Sequence, residues 1–375
     1  MHVFVDVVAF VAGVVIVVAT VVSAVKSTIL PRGVPVRLAR TSNRIVRAAF
    51  GLWVGRSASY ERRDRIMAAY GPIALLTLLL SWLVLLFAAF VLMYLAVTNR
   101  SLAQAIELSG SSLFTLGTAN PAQVGPDIVS YAEAGLGLLL VTLLITYLPS
   151  IYTAFSRREN GVGLLRTRAG TPPSPTVMLV RLHTIDEANS RLTELWTQWE
   201  SWFVDIEETH TSFAILSFFR SPRASESWIN AAGVVLDAAS LWLAAVEHPK
   251  DPEAHLCIRS GFLALRAIAS LFRIPFDPDP EPNDPISISR SEFDEALFRL
   301  VGGGVPVVED RDAAWAAYKG WRVNYDTTLL DLSRLVEAPP TPWVSDRSPL
   351  RQPSENRALR EALKMTVFRR DATPG

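Results

Sequence analysis

SLAQAIELSGSSLFTLGTANPAQVG, residues 101–125, separates two much longer apolar segments of this 375-residue chain. Its first half predicts a helix of about three turns that begins at Ser101, a favourable N-cap residue. Apolar side chains recur along this helix at Leu102, Ala105, Ile106 and Leu113. The helix is too short to cross a bilayer, which takes roughly 20 apolar residues. We therefore expect a re-entrant helix followed by a returning loop, residues 114–120; an ordinary loop outside the membrane is the alternative.

Three apolar segments, residues 3–25, 72–97 and 131–155, are each long enough to cross the hydrocarbon core as a helix. Few charges precede the first segment, so it lacks the basic region that begins a cleaved signal peptide. We expect it to be retained as the first transmembrane helix, within residues 1–26. Removal of this segment after export is the alternative.

The charges between these segments indicate how they are oriented. Residues 26–70 carry ten basic side chains against two acidic ones, which is typical of a loop that stays in the cytoplasm. Residues 98–130 carry one basic and two acidic side chains, and Arg157 and Arg158 follow the third segment. The sequence therefore predicts a multi-pass protein of the inner or plasma membrane, with its N-terminus outside and its C-terminal domain in the cytoplasm.

The basic segment 27–70 has an amphipathic centre. Its apolar side chains are Ile45, Val46, Ala49, Phe50, Leu52 and Trp53. This pattern favours a helix that lies on the inner membrane surface beside anionic lipid. A solvated connector is the alternative, and the position of the segment between two membrane spans argues against nucleic acid as the partner.

The hexapeptide Thr115-Leu116-Gly117-Thr118-Ala119-Asn120 resembles a degenerate potassium-channel selectivity filter, whose usual form is Thr-Val-Gly-Tyr-Gly-Asp. The order of outer helix, pore helix, filter and inner helix in two-transmembrane, pore-loop potassium channels is also similar to residues 71–156. Thr115 and Gly117 are retained, whereas Thr118 replaces the aromatic residue, Ala119 the second glycine and Asn120 the acid.

The resemblance implies a pore domain over residues 71–156, a homotetramer, and K⁺ as the permeant ion, with no cofactor. Backbone carbonyl oxygens of the filter would replace the hydration shell of the ion. Gly117 suits this role because glycine adopts a positive φ at little cost. The resemblance also implies a candidate gate in the inner helix at Gly135, Gly137 and Pro149; ordinary helix packing is the alternative.

The rest of the chain predicts an all-α soluble domain over residues 177–337, after a linker, 157–176, that contains Thr171-Pro-Pro-Ser-Pro175. Helices are expected over 182–208, 226–246 and 252–272, then from Ser291 to the glycines 302–304, and over 310–336. Residues 277–285 should form a loop. The tail 338–375 should be disordered over 339–353, with a basic helix over 355–370; a frayed terminus is the alternative to this helix.

The charges also distinguish the membrane half of the chain, which is basic, from the soluble half, which is acidic. Residues 1–176 carry 15 Lys and Arg against 7 Asp and Glu, and the remainder carries 21 against 29. The single cysteine, Cys257, excludes an intramolecular disulfide. No nucleophile, phosphate-binding or metal-ligand motif occurs, so neither an enzyme nor a metal site is expected.

The sequence leaves three functions to compare. The first is passive cation conduction through a tetramer, regulated by the soluble domain. The second is a non-conducting receptor or scaffold that retains the channel architecture. The third, a membrane-anchored enzyme, has no supporting motif.

Overall fold

The structure, a computed structural model, describes residues 2–28, 37–54, 60–98, 101–119, 124–186 and 190–347. Its regular elements in these ranges are helices, and the only strand-like pairing there is an isolated antiparallel bridge between Val246 and Val307. The thirteen α-helices of the described ranges are α1 His2–Thr28, α2 Arg37–Val54, α3 Tyr60–Met67, α4 Tyr70–Val97, α5 Leu102–Leu113, α6 Val124–Ala169, α7 Pro175–Ile185, α8 Ser190–Ser212, α9 Trp228–Ala245, α10 Pro252–Phe272, α11 Arg290–Gly302, α12 Arg311–Arg322 and α13 Asp326–Leu335. The predicted all-α fold is confirmed.

The chain divides into two compact units. Unit 1 contains Met1–Phe155 and Ser212–Phe219, and unit 2 contains Ser156–Thr211 and Arg220–Gly375. Helix α6 supplies residues to both units.

Helix α4 is the centre of unit 1, and α1, α2 and α5 pack against it. Gly13 lets α1 come close, because a Cβ at this position would lie 2.8 Å from the carbonyl oxygen of Ala89. Trp82 of α4 donates its indole N–H to the Ser23 hydroxyl of α1 at 3.2 Å. Large side chains of α4, including Phe90 and Tyr94, are fully covered by these neighbours.

Five helices in the described ranges are long and apolar enough to cross a membrane, judged by length and composition. They are Val3–Thr28, Arg62–Val97, Val124–Ala169, Trp228–Ala245 and Pro252–Phe272. The first three contain the predicted spans, and only 22% of the residues in the most apolar stretch of the first and third are buried. For Trp228–Ala245 the share is 94%, so protein already covers its apolar side chains.

Helix α9 is the centre of unit 2, with α7, α10, α12 and α13 packed around it. The tryptophan stripe of α8, which periodicity assigns to a core, is buried at Trp196, Trp199 and Trp202. The α9 core also encloses an ion pair: Arg322 Nη1 lies 2.5 Å from Asp237 Oδ1, and neither side chain is exposed. Tyr325 donates a further hydrogen bond to Asp237 at 2.9 Å.

Several predicted boundaries in unit 2 were wrong. Residues 157–169 continue helix α6 instead of forming a linker, and α7 follows after a turn. The N-cap of helix α11 is Ser289, two residues before the predicted Ser291, because Ser289 and Glu292 form a reciprocal capping box. The helix predicted over 310–336 is two helices, α12 and α13, with a break at 323–325.

The predicted disorder of residues 339–353 was also wrong for the part that the structure describes. Thr341 and Val344 are fully buried in unit 2. Asn230 of α9 donates from Nδ2 to the Pro339 carbonyl and to the Thr341 hydroxyl, both at 2.7 Å. The predicted terminal helix, 355–370, lies outside the described residues.

Candidate functional site

The candidate site is α5 and the loop that follows it, residues 114–119. The predicted start at Ser101 is confirmed. The Gln104 N–H donates to Ser101 Oγ at 3.4 Å, and the Ser101 N–H donates to Gln104 Oε1 at 3.1 Å. This reciprocal capping satisfies two N–H groups that the helix itself leaves without partners. Helix α5 is therefore a defined element of twelve residues, shorter than a membrane span.

The loop after α5 contains two residues with left-handed backbone. Gly117 has φ +69° and Thr115 has φ +52°. No atom lies within 4 Å of a Cβ built on Gly117, so its backbone angle, not a lack of space, favours glycine there. Thr115 is β-branched and is therefore strained in this conformation.

Ser111, in the last turn of α5, braces the loop. Its hydroxyl accepts a hydrogen bond from the Ala119 N–H at 3.0 Å and donates to the Ala119 carbonyl at 3.2 Å. The Ser111 carbonyl accepts from the Leu116 N–H at 2.8 Å. Both backbone groups of Ala119 are thus engaged, whereas the carbonyls of residues 115–118 accept no hydrogen bond from the residues that the structure describes. Asn120 lies outside the described residues.

Residues 114–118 are exposed in the single chain. Phe114 is 58% exposed and Leu116 is 64% exposed, although both are large and apolar. A loop that is fixed at its ends and presents apolar side chains has a shape suited to contact with lipid or with other copies of the chain.

One face of α6 holds α5 in place. Ser130 Oγ lies 2.6 Å from Ser112 Oγ, and Tyr94 of α4 donates to that Ser112 hydroxyl at 3.2 Å. A Cβ on Gly137 would lie 2.5 Å from the Leu113 carbonyl oxygen, so this glycine permits close approach of the two helices.

The other two candidate gate residues differ from Gly137 in their surroundings. Gly135 faces open space, and no atom lies within 4 Å of a Cβ built there. Pro149 lies inside α6, where it removes one backbone hydrogen bond of the helix.

Glu133 completes this face and was missed at the level of sequence. Its side chain is fully buried, and its Oε1 atom lies 2.5 Å from Ser109 Oγ. The sequence does contain a feature that could have identified it, since Glu133 is the only acidic residue in the apolar segment 131–155. An ionisable residue in such a segment is costly and points to a functional site.

Within the described residues no group of three or more His, Cys, Asp or Glu side chains could hold a metal ion. The site consists of backbone groups, hydroxyls and one buried carboxyl group. The loop of this site can present backbone oxygen atoms to a cation.

The fold and the exposed apolar helices define an all-α, multi-pass integral membrane protein. The chain is 26% identical over 220 residues to the uncharacterized membrane protein YdjJ of Bacillus subtilis (strain 168). This similarity covers 54% of the present chain and 61% of the Bacillus protein. No protein-family model matches the chain. No solved structure matches it either.

Proposed function

We propose that the protein is a passive cation channel, selective for K⁺, whose pore is formed by four copies of α4, α5, the loop 114–120 and α6. The observation that carries this proposal is the capped short helix followed by a loop with positive φ at Thr115 and Gly117. One loop offers too few oxygen atoms to replace the hydration shell of an ion, so four loops must meet around one axis.

The exposure of the loop supports assembly into a tetramer. In a tetramer, Phe114 and Leu116 would be covered by neighbouring subunits or by lipid, which is favourable for large apolar side chains. In this proposal α1, α4 and α6 are the three transmembrane helices, with the N-terminus outside and unit 2 in the cytoplasm, where it regulates the pore.

The length of α6 supports the proposed regulation by unit 2. The helix begins at Val124 in unit 1 and ends at Ala169 in unit 2, with Pro149 inside it. A change in unit 2 that moves residues 156–169 therefore acts on the same helix that carries Glu133 and Gly137.

The second candidate is a non-conducting receptor or scaffold with the same architecture, and Ala119 favours it. This residue replaces the second glycine of the filter, and its N–H and carbonyl are both bonded to Ser111. The resulting loop presents fewer carbonyls than a complete filter would.

Ion flux separates the two candidates. Purified protein in liposomes that hold a K⁺ gradient should carry K⁺ down the gradient, faster than Na⁺ and faster than protein-free liposomes. Flux equal to that of protein-free liposomes, from protein shown to be folded and inserted, would favour the receptor.

A further inference from the structure

Glu133 makes a hydrogen-bonded connection through three helices. Its Oε1 atom in α6 lies 2.5 Å from Ser109 Oγ in α5, and Ser109 Oγ lies 3.3 Å from the Phe87 carbonyl oxygen in α4. The second carboxyl oxygen, Oε2, is buried and has no hydrogen-bond partner among the described residues. Neither Glu133 nor Ser109 is exposed to solvent.

Hydrogen atoms at this site can be counted. Ser109 has one hydroxyl hydrogen, so it donates either to Glu133 or to the Phe87 carbonyl. If Glu133 were ionised, Ser109 would have to donate to it and the Phe87 contact would have no hydrogen. Tyr94, the other hydroxyl near Glu133, directs its one hydrogen to Ser112, so Oε2 would be a buried charged atom with no donor of its own. Such a group is among the most costly in an apolar interior.

A neutral carboxylic acid satisfies both contacts. The Glu133 O–H donates to Ser109 Oγ, the Ser109 hydroxyl donates to the Phe87 carbonyl, and only an uncharged Oε2 remains without a partner.

We infer that Glu133, held as a neutral carboxylic acid, is a positioning residue that sets the filter-like loop through Ser109. Ser109 precedes Ser111 by two residues in the same short helix, so the rotation of α5 that Ser109 fixes also fixes the brace from Ser111 to Ala119. Displacement of α6 at Glu133 is transmitted to the loop by this path. The inference deepens the proposed channel function and rests on it only for the flux readout.

The test compares Glu133→Gln with Glu133→Ala in the full-length reconstituted protein. Glutamine is neutral, has the same length, and can donate from Nε2 to Ser109 Oγ, so K⁺ flux should stay within about twofold of wild type. Alanine leaves Ser109 without this donor, and flux should fall about tenfold, the loss expected for one buried hydrogen-bonding partner. Equal loss in both variants, or no loss in either, would overturn the inference.

A second readout does not depend on conduction. Backbone amides of Thr115, Leu116 and Ala119 should exchange with deuterium faster in Glu133→Ala than in wild type, and at the wild-type rate in Glu133→Gln. If wild-type protein conducts nothing, the proposed channel function fails while the exchange rates still decide the role of Glu133. Equal exchange rates in all three proteins would reject that role.

Infrared spectroscopy tests the protonation state directly. The wild-type spectrum should contain a carboxylic-acid C=O band that is absent from Glu133→Gln. If Glu133→Ala does not fold, this band and the glutamine variant still decide the outcome. A difference spectrum that shows the loss of carboxylate bands instead would overturn the neutral assignment.

Discussion

At the residue scale, the conformation of the loop depends on a side chain outside the filter-like hexapeptide. Ser111 makes two hydrogen bonds to Ala119 and so braces the loop that begins at residue 114. The strain at Thr115 persists because the surrounding hydrogen bonds hold it, including the Leu116 N–H bond to the Ser111 carbonyl.

Ser111→Ala should therefore make the loop more mobile, with only a modest loss of protein stability. Loss of the two hydroxyl bonds should lower stability by about 1–2 kcal/mol and reduce K⁺ flux, because Ala119 is no longer fixed. Flux and thermal unfolding in detergent are the measurements. Ser150→Ala is the matched control, since Ser150 also bonds a backbone carbonyl but on an exposed face of α6. Equal flux in Ser111→Ala and Ser150→Ala would contradict the brace.

The sequence was sufficient to predict the roles of some residues of the site and not those of others. Ser101 as an N-cap and Gly117 as a residue of positive φ follow from local chemistry, which a sequence displays. Thr115 was not expected in a left-handed conformation, because its own side chain opposes it. The role of Ser111 depends on which residue the loop brings back to it, and this is a property of the folded chain.

His210 should make the stability of unit 2 depend on pH. Its Nδ1 lies 2.9 Å from the Ile206 carbonyl, so Nδ1 carries the hydrogen, and Nε2 faces Arg158 Nη1 at 3.5 Å as an acceptor. Burial, and next the charge of Arg158, hold the pKa of His210 well below its usual range. The folded protein therefore keeps this imidazole neutral where the unfolded chain would protonate it.

Unit 2 should lose stability as the pH falls below about 6.5. The unfolded state then binds a proton that the folded state does not, and the free energy of unfolding falls by up to about 1.4 kcal/mol per pH unit. Tryptophan fluorescence during thermal unfolding reports on unit 2, which holds eight of the ten tryptophans. His210→Gln should remove this part of the slope and His255→Gln, at an exposed site, should not. The same slope in both variants would refute the assignment.

At the element scale, the packing of α5 on α6 requires a small residue at one position of α6. Gly137 faces the Leu113 carbonyl, whereas Gly135, two residues earlier, faces open space. The two glycines thus form a matched pair within one helix.

Gly137→Ala should destabilise the protein and Gly135→Ala should not. The new methyl group at residue 137 would overlap the Leu113 carbonyl oxygen and push α5 away, at a cost of about 1–3 kcal/mol. At residue 135 alanine should be neutral or stabilise the helix by about 0.5–1 kcal/mol. Thermal unfolding in detergent measures both, and similar midpoints for the two variants would argue against the close approach.

The spacing of apolar residues predicted that these helices exist, but it did not predict where several of them begin and end. Ser289 and Ser291 are both suitable N-caps, and only the bonds between Ser289 and Glu292 decide between them. The break between α12 and α13 escaped detection because 310–336 contains neither proline nor a run of glycines within the helical pattern. There, Arg266 of α10 bonds the Asn324 carbonyl and draws it out of the helix ladder.

At the scale of the whole molecule, the boundary of unit 2 differs from the predicted soluble domain. Its core includes Val162, Leu165 and Ala169 on one side of residues 177–337 and Val344 on the other. These side chains lie in the segments that the sequence assigned to a linker and to a disordered tail.

A fragment of residues 156–347 should therefore be more stable than one of residues 177–337. Each buried aliphatic side chain that the shorter fragment lacks contributes about 1–3 kcal/mol. Circular dichroism should show helical spectra for the longer fragment with a cooperative transition, and a lower midpoint or no transition for the shorter one. Equal midpoints would place the domain boundary where the sequence predicted it.

Cation flux in Gly117→Val, compared with wild type, tests whether ions pass through the loop that contains Gly117. A β-branched side chain is strained at φ +69°, so the loop must change its backbone and its carbonyl directions. Gly163→Val is the matched control, because Gly163 lies in helix α6 with no atom within 4 Å of a built Cβ. We expect K⁺ flux in wild type and Gly163→Val, and no flux in Gly117→Val of unchanged tetrameric size. Unchanged flux in Gly117→Val would contradict conduction through this loop.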